Sequence, residues 1–439
     1  MIRRIAILTI FTMISAAMPA CSKSEPGQGG EAKPGEAKPG EAKPGDGSQA
    51  AQPASGAAVA DAAAIRIGVL NDMSGLYADL AGQGSVEAAR MAVEDAGGAI
   101  GGKAIAVISG DHRNKPDVGS AVARRWFENE AVDVIVDVPT SSVALAVNEV
   151  TRGQNRVFLA SGPAAAELTG SACSPNTVHW TYDTWALANG TGREVVRSGG
   201  KTWFFITADY AFGQALERDV TAVVLMSGGK VVGGVRHPLN NNDFSSFLMQ
   251  AQGSKAEVIG LANAGGDTIN TIKQASEFGL GKGGQKLAGL LVFLSDVHAL
   301  GLDVAGGLQL TSPFYWDRDD ATRAWSKKFA ERHGGRMPTM VHAGVYAAVR
   351  HYLNVVAELG DEGDGRAVVA AMKRIPTDDP LFGKGTIDPN GRKRHPMYLY
   401  QVKRPNESKG PWDYYQLVRE IPADQAFQAP AETGCALVK

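Results

Sequence analysis

From Ile65 onward, short apolar runs alternate with amphipathic stretches of helical period. Ile65-Arg-Ile-Gly-Val-Leu70 reads as a strand, and residues 82–95 read as a helix that ends at Gly97-Gly98. The pattern repeats, with strands expected near 104–109, 132–138, 156–160, 178–182, 202–207, 230–235, 257–262 and 290–294. Helices are expected at 117–130, 143–153, 185–198, 211–227, 243–252 and 267–278. Strands separated by helix-length segments predict parallel sheets built from right-handed βαβ units. So many strands over roughly 375 residues exceed one ordinary open sheet, so the pattern predicts an α/β protein of two Rossmann-like lobes. In such folds ligands bind beyond the carboxyl ends of the strands.

Before Ile65 the chain has a different character. Arg3 and Arg4 precede an apolar stretch, 5–18, that is too short to span a bilayer, followed by Ala17-Met18-Pro19-Ala20-Cys21. This has the form of an export signal over 1–20. A cysteine directly after Ala20 looks like a bacterial lipobox, although Met18 stands where Leu is usual. Cys21 is then the lipidated first residue of the mature chain, and a simple cleavable signal is the competing explanation. From 21 to 64 the sequence is Gly, Pro, Ala, Glu, Lys, Ser and Gln, with EAKPG three times between Glu31 and Gly45. Proline and glycine in each unit block a helix and nothing apolar is available to bury, so this reads as a disordered tether spanning roughly 35–40 Å.

The chain has 439 residues, 44% of them hydrophobic, with a net charge of −2. That near-neutral balance gives no general case for nucleic acid as a partner. Three cysteines are too few for a disulfide scaffold and form no CxxC or Cys/His cluster, so no metal is expected. In an exported chain with Cys21 occupied by lipid, an even pair remains. Cys173 and Cys435 are therefore expected to bridge and pin the C-terminal tail, 421–439, onto the first lobe.

The strand ends carry the candidate chemistry. Val138-Pro139-Thr140-Ser141-Ser142 follows the VDVIVDV run and opens a helix, and Ala160-Ser161-Gly162-Pro163-Ala164 follows the next strand. Small hydroxyl residues and exposed N–H groups at a helix start favour a carboxylate, and plain N-capping is the alternative. Thr207-Ala-Asp-Tyr210 and Asn263-Ala-Gly-Gly-Asp267 occupy similar places. There Tyr210 can wall a ligand and Asp267 can take an amine, and either can instead cap its own helix.

No G-x-S-x-G, HExxH or G-x-x-x-x-G-K-[ST] is present, and Gly82-x-Gly84 is half a dinucleotide fingerprint whose third glycine is Glu87. His333, His342 and His351 recur at a nine-residue spacing that rotates them to opposite helix faces. His298, two residues past Asp296, is the nearest candidate general base. The reading is of a non-enzyme that needs no cofactor.

Joined to IRIGVLNDMSG, the segment Leu80–Gly102 resembles the opening of the periplasmic binding proteins of branched-chain amino acid type ABC transporters. VPTSS, SGPAAAELTG (Ser161–Gly170), FFITADYAFGQ (Phe204–Gln214), Phe244–Leu280 and GKGTIDPNG (Gly383–Gly391) match in the same order, so the resemblance covers essentially 65–420. It implies a type 1 periplasmic binding fold with three crossovers. Lobe one would comprise 65–183 and 313–385, and lobe two 184–312 and 386–420. It also implies that Ser141, Ser142 and the turn from Ser161 through Gly162 to Ala164 hold a carboxylate, that Tyr210 stands at the interlobe edge, and that Asp296, after the LLVFLS run, meets an ammonium group.

This chain departs from the family pattern in having Asp rather than Glu at 296. It also has aromatic residues at His179-Trp180-Thr-Tyr182-Asp183-Thr-Trp185 and Phe314-Tyr315-Trp316, which favour a flatter or larger ligand such as an aromatic acid and place Tyr182 in the site. The implied function is capture of a small carboxylate-bearing solute by a monomer at the periplasmic face of a bacterial membrane, with delivery to ABC permease subunits. The alternative is a sensing module whose closure is read by a receptor.

Overall fold

In a computed structural model, residues 64–280 and 284–438 are described. The export signal 1–20, Cys21 and the tether up to residue 63 lie outside the described residues. Val134, Ile135 and Val136 are fully buried, as expected where a parallel sheet is covered on both faces. They belong to a six-stranded sheet whose order is Ala99–Ile100, Lys103–Asp111, Ile65–Asn71, Val134–Asp137, Val157–Ala160 and Thr177–His179. Only the first pairing, a hairpin, is antiparallel. Ile65 sits opposite Ile105 on one side, and Ile67 sits opposite Val134 on the other.

A second, wholly parallel sheet has the order Lys286–Gly289, Val258–Ala262, Thr202–Ala208 and Lys230–His237. Two small antiparallel sheets complete the body. One joins Gln309–Ser312, Met397–Val402 and Tyr415–Ile421, and the other joins Thr377–Asp379, Gly383–Ile387 and Lys393–Arg394. Helix Gly82–Asp95 packs along the long helix Met340–Leu359, and the Tyr346 hydroxyl donates to Asp95 at 2.6 Å. Among the described residues no helix is long and apolar enough to cross a membrane.

The chain passes between the two parallel sheets' lobes three times: after Thr177–His179, after Gln309–Ser312 and before Met397–Val402. The first and third passages run side by side. His179 bridges Arg392, the buried Arg392 guanidinium donates to the Tyr182 carbonyl at 3.0 Å, and it lies 3.6 Å from Asp183. Strand Gly383–Ile387 pairs on one side with Thr377–Asp379 and on the other with Lys393–Arg394.

Two expected elements differ. The run 290–294 is not a strand: Lys286–Gly289 is, and Leu294–Leu300 is a helix. Leu290, Leu291, Val292 and Phe293 are buried because both lobes cover them, and an apolar run alone does not distinguish that from a strand. The helix expected over 185–198 is broken by a π-helical turn at Ala188–Gly192, where Gly190 lies against Thr311 so closely that a Cβ would meet its side chain.

Cys173 and Cys435 form a disulfide across a sequence separation of 262. The tail leaves the second lobe at Ile421 and returns to the first. There the Arg394 guanidinium donates to the carbonyls of Ala423, Phe427 and Gln428 at 3.2, 3.1 and 2.8 Å. The bridge therefore closes a strap across the hinge, and bonds that close long loops typically contribute about 2–4 kcal/mol.

Candidate functional site

A narrow, partly open space lies between the lobes. Tyr77, Leu80, Pro139, Gly162, Ala164 and Tyr182 wall it from the first lobe, and Tyr210, Phe212, Ala264, Leu291 and Phe293 wall it from the second. Each follows the carboxyl end of a parallel strand, which is where the reversal of strand order opens a crevice. The walls are aromatic and aliphatic, with tyrosine hydroxyls as the side-chain polar groups. The Tyr77 and Tyr210 hydroxyls hydrogen-bond to each other across the interlobe boundary, and Tyr182 donates to the Gly162 carbonyl at 2.6 Å.

Further contacts hold the lobes closed. The Gly266 N–H reaches the Leu76 carbonyl at 3.4 Å, and Arg218 pairs with Glu167.

One side of the site is shaped by a strained turn. Asp137 and Val138 have φ of 79° and 59°, and the left-handed region is costly for a β-branched valine. The turn points the Asp137 carboxylate inward, where it accepts from Asn71 Nδ2 at 2.7 Å, Ser85 Oγ at 2.5 Å and the Gly162 N–H at 2.8 Å. Burial pushes this carboxyl up to about 6, against the pull of those three donors. Three strand ends and the first helix are thereby fixed to one buried group.

Immediately after this turn, helix Ser141–Gly153 begins. Its N-cap, Thr140, makes no side-chain cap bond, because its hydroxyl is given to Asn114, and the first-turn N–H groups have no intrahelical acceptor. A carboxylate placed beside Pro139 meets the positive end of the helix.

Of the residues expected from sequence, Gly162, Ala164, Tyr182 and Tyr210 line the space. Ser141 and Ser142 stand at the helix start just behind Pro139. Ser141 is buried, and its Oγ accepts from the Ala164 and Ala165 N–H groups at 3.3 and 3.2 Å, so it ties the two turns together. Ser161 turns away from the space, donating to the Val341 carbonyl at 2.9 Å and bonding Thr181 at 2.7 Å. Asn263 is used inside the second lobe, by Thr268 at 2.7 Å and by Thr271 and His237 at 3.2 Å.

Asp267 accepts the Asn240 and Asn241 N–H groups at 3.1 and 2.8 Å, and burial raises it to about 6. Asp296 is the third residue of helix Leu294–Leu300 and not a strand end. It accepts the Phe293 N–H at 2.9 Å, and burial, with a smaller contribution from Asp79, raises it to about 7.

Trp180 and Trp316 are packing residues. Trp180 lies against His351 and Lys393, and Trp316 donates to the Trp412 carbonyl at 2.8 Å. His298 stacks on Trp412 at 3.9 Å and its Nδ1 meets the Tyr414 hydroxyl. Among the described residues no group of three or more His, Cys, Asp or Glu can hold a metal ion.

Sequence reasoning missed Tyr77, Leu80, Pro139, Phe212, Ala264, Leu291 and Phe293. All but Phe212, which is in the first turn of helix Ala211–Met226, lie within turns that follow strands, and that position was a usable signal. Searching those turns for polar residues passed over the apolar ones that build the wall.

The family model for periplasmic binding protein matches residues 64–411. A periplasmic binding protein from Burkholderia mallei is 50% identical, superimposes with a TM-score of 0.84, and is matched over 86% of this chain and 100% of that one. A branched chain amino acid ABC transporter periplasmic ligand-binding protein from Burkholderia xenovorans LB400 is 38% identical with a TM-score of 0.76, over 85% of this chain and 100% of that one. A Leu/Ile/Val-binding protein homolog from Brucella melitensis is 26% identical over 391 residues, 87% of this chain and 95% of that protein.

Proposed function

The chain belongs to the periplasmic binding protein family, with the solute-binding proteins of ABC transporters as its relatives, and from that premise we propose that it captures an aromatic carboxylate between its lobes. The observation that carries this reading is the wall: aromatic rings from both lobes face one narrow space beside an uncapped helix start. A flat ring admitted as the lobes part would lie among Tyr77, Tyr182, Tyr210 and Phe293, with its carboxylate towards the N–H groups at the start of helix Ser141–Gly153 and the Gly162–Ala164 turn alongside. An α-amino acid would need an acid for its ammonium group. Asp296 is engaged by its own helix, and Asp267 by the Asn240–Asn241 loop.

Residues 65–183 and 313–394 form one closing lobe and 184–312 with 395–421 the other. Closure creates the surface that permease subunits read. The chain acts as a monomer tethered at the periplasmic face through lipid on Cys21. Cys21→Ser is expected to move the protein from the membrane to the soluble periplasmic fraction on fractionation, and retention at the membrane would refute the anchor.

Calorimetric titration with benzoate, benzamide, leucine and phenylalanine tests the ligand class. Benzoate is expected to bind, and benzamide, of the same shape without the charge, about 100-fold more weakly. Equal binding of the amide, or binding of the amino acids alone, sinks the reading.

A further inference from the structure

Away from the cleft, an open groove with room for about 400 Å3 crosses the second lobe and reaches the tail. That is within the roughly 300–1,000 Å3 usual for ligand sites. None of its lining residues belongs to the wall between the lobes. Stretches distant in sequence build it. Asn189 comes from the π-helical turn, Arg193 and Arg197 from the helix Arg193–Arg197 that continues it, and Met226 from the end of helix Ala211–Met226. Arg419 comes from strand Tyr415–Ile421, and Gln425 from the start of the tail.

Charge in this groove is unbalanced. Among the described residues three arginines and no acid line it. The one acid paired with any of them there, Glu194, lies 3.6 Å from Arg419 Nε, too far for a hydrogen bond, and that Nε is buried with no hydrogen-bond partner. Arg193 donates to a neutral group, Asn189 Oδ1, at 2.6 Å, and the Arg197 guanidinium has no partner among the described residues. Arg193 and Arg197 are exposed and stand four apart on one helix, a spacing at which like charges repel. Other surface arginines take an acid each, as Arg332 does with Glu94 at 2.7 Å and Arg336 with Asp79 at 2.8 Å. The end of a helix accounts for one cation at Arg197, but not for Arg193 and Arg419 gathered beside it.

We propose that this groove is a second binding site, separate from the cleft, for a phosphate-bearing anion. Guanidinium groups present planar forks of donors that match phosphate oxygens two at a time. An anion of charge two or more neutralises a cluster that a single carboxylate would leave positive. Asn189 and Gln425 add neutral donors, and Met226, 63% exposed, adds an apolar contact that a lipid headgroup beside its acyl chains can use. The phosphate can therefore come from a dissolved compound or from an anionic lipid. The site stands independently of the aromatic-carboxylate reading of the cleft.

Calorimetric titration of the full chain with inorganic pyrophosphate, at low ionic strength where exposed charges are least screened, tests the site. The wild type is expected to bind. Arg193→Gln, Arg197→Gln and Arg419→Gln are each expected to weaken binding about tenfold, and Arg419→Lys, which keeps the charge and loses the fork, to restore only part of the loss. Arg332→Gln removes a positive charge from the first lobe and is expected to leave binding unchanged. No binding by the wild type overturns the proposal. So does binding that all three glutamine variants retain, because it places the anion elsewhere, the cleft included. Co-sedimentation of Cys21→Ser, which lacks the expected anchor, with phosphatidylcholine vesicles with and without phosphatidylglycerol identifies the source. Capture by the anionic vesicles that pyrophosphate and Arg419→Gln both abolish supports the site with a lipid headgroup in it, and pyrophosphate binding without vesicle capture supports it with a dissolved phosphate compound.

Discussion

Gly265→Val is expected to keep the lobes from closing and to weaken ligand binding by about 100-fold, with each lobe still folded. Gly265 occupies the turn between strand Val258–Ala262 and helix Gly266–Glu277 with φ of 57°. A Cβ there would lie 2.7 Å from the Leu76 carbonyl oxygen, 3.0 Å from Tyr77 Cδ1 and 3.3 Å from Leu80 Cδ2. All three belong to the opposite lobe, and a backbone oxygen cannot swing aside as the end of a long side chain can. The collision therefore exists only in the closed state. A closed state raised by about 3 kcal/mol lowers apparent affinity by about two orders of magnitude.

The left-handed backbone alone would cost a side chain about 1–2 kcal/mol whether or not the lobes meet. Gly97→Val isolates that cost, since Gly97 has φ of 85° and open space around its Cβ position. Small-angle scattering with and without ligand, alongside calorimetry, reads both effects. If Gly265→Val still compacts on ligand addition and binds as the wild type does, the closed geometry described here is not the binding-competent one.

Asp137→Ala is expected to cost about 3–5 kcal/mol of folding stability, more at pH 5 than at pH 8. The carboxylate is the shared acceptor for Asn71, Ser85 and the Gly162 N–H, so truncation leaves three buried donors without a partner. The pH dependence follows from the raised carboxyl. Its folded value of about 6 lies above its ordinary value of 3.8, so the folded state binds the proton more tightly. The stability this provides is present below pH 4 and is lost as pH rises through 6. Alanine does not titrate, so the difference between the two proteins narrows over that window. At about 1.4 kcal/mol per pKa unit the narrowing is on the order of 3 kcal/mol. Denaturant unfolding at pH 5 and pH 8 spans the upper part of that window and should show about 1.4 kcal/mol of the narrowing, and a loss that grew with pH would show that Asp137 is stabilised as an anion.

The α/β organisation was legible because each parallel strand is a compact apolar run and each helix keeps its own period. Helix Gly82–Asp95 shows this at both ends, with Gly97 and Gly98 in the left-handed region just past its last turn. The LLVFLS run was misread for a related reason. Burial between two lobes produces the same hydrophobic signature as burial in a sheet, so Asp296 moved from a strand end to the cap of a helix. At the candidate site, hydroxyl residues drew attention to turns that the structure brings to the cleft. Ser141 and Ser161 build the turns with their side chains, and the turns then present apolar walls to the ligand space.

By itself, the sequence determined the alternating α/β pattern and the family likeness, and it led to the expectation that Cys173 pairs with Cys435. Local periodicity and glycine placement encode the pattern, the order of motifs carries the likeness, and neither needs reference to distant residues. Tertiary structure alone decided which side chains face the cleft and that Asp137 gathers three strand ends. These depend on residues far apart in the chain meeting across an interlobe boundary, and at such a boundary an aromatic ring that packs a core and one that walls a ligand have the same one-dimensional pattern.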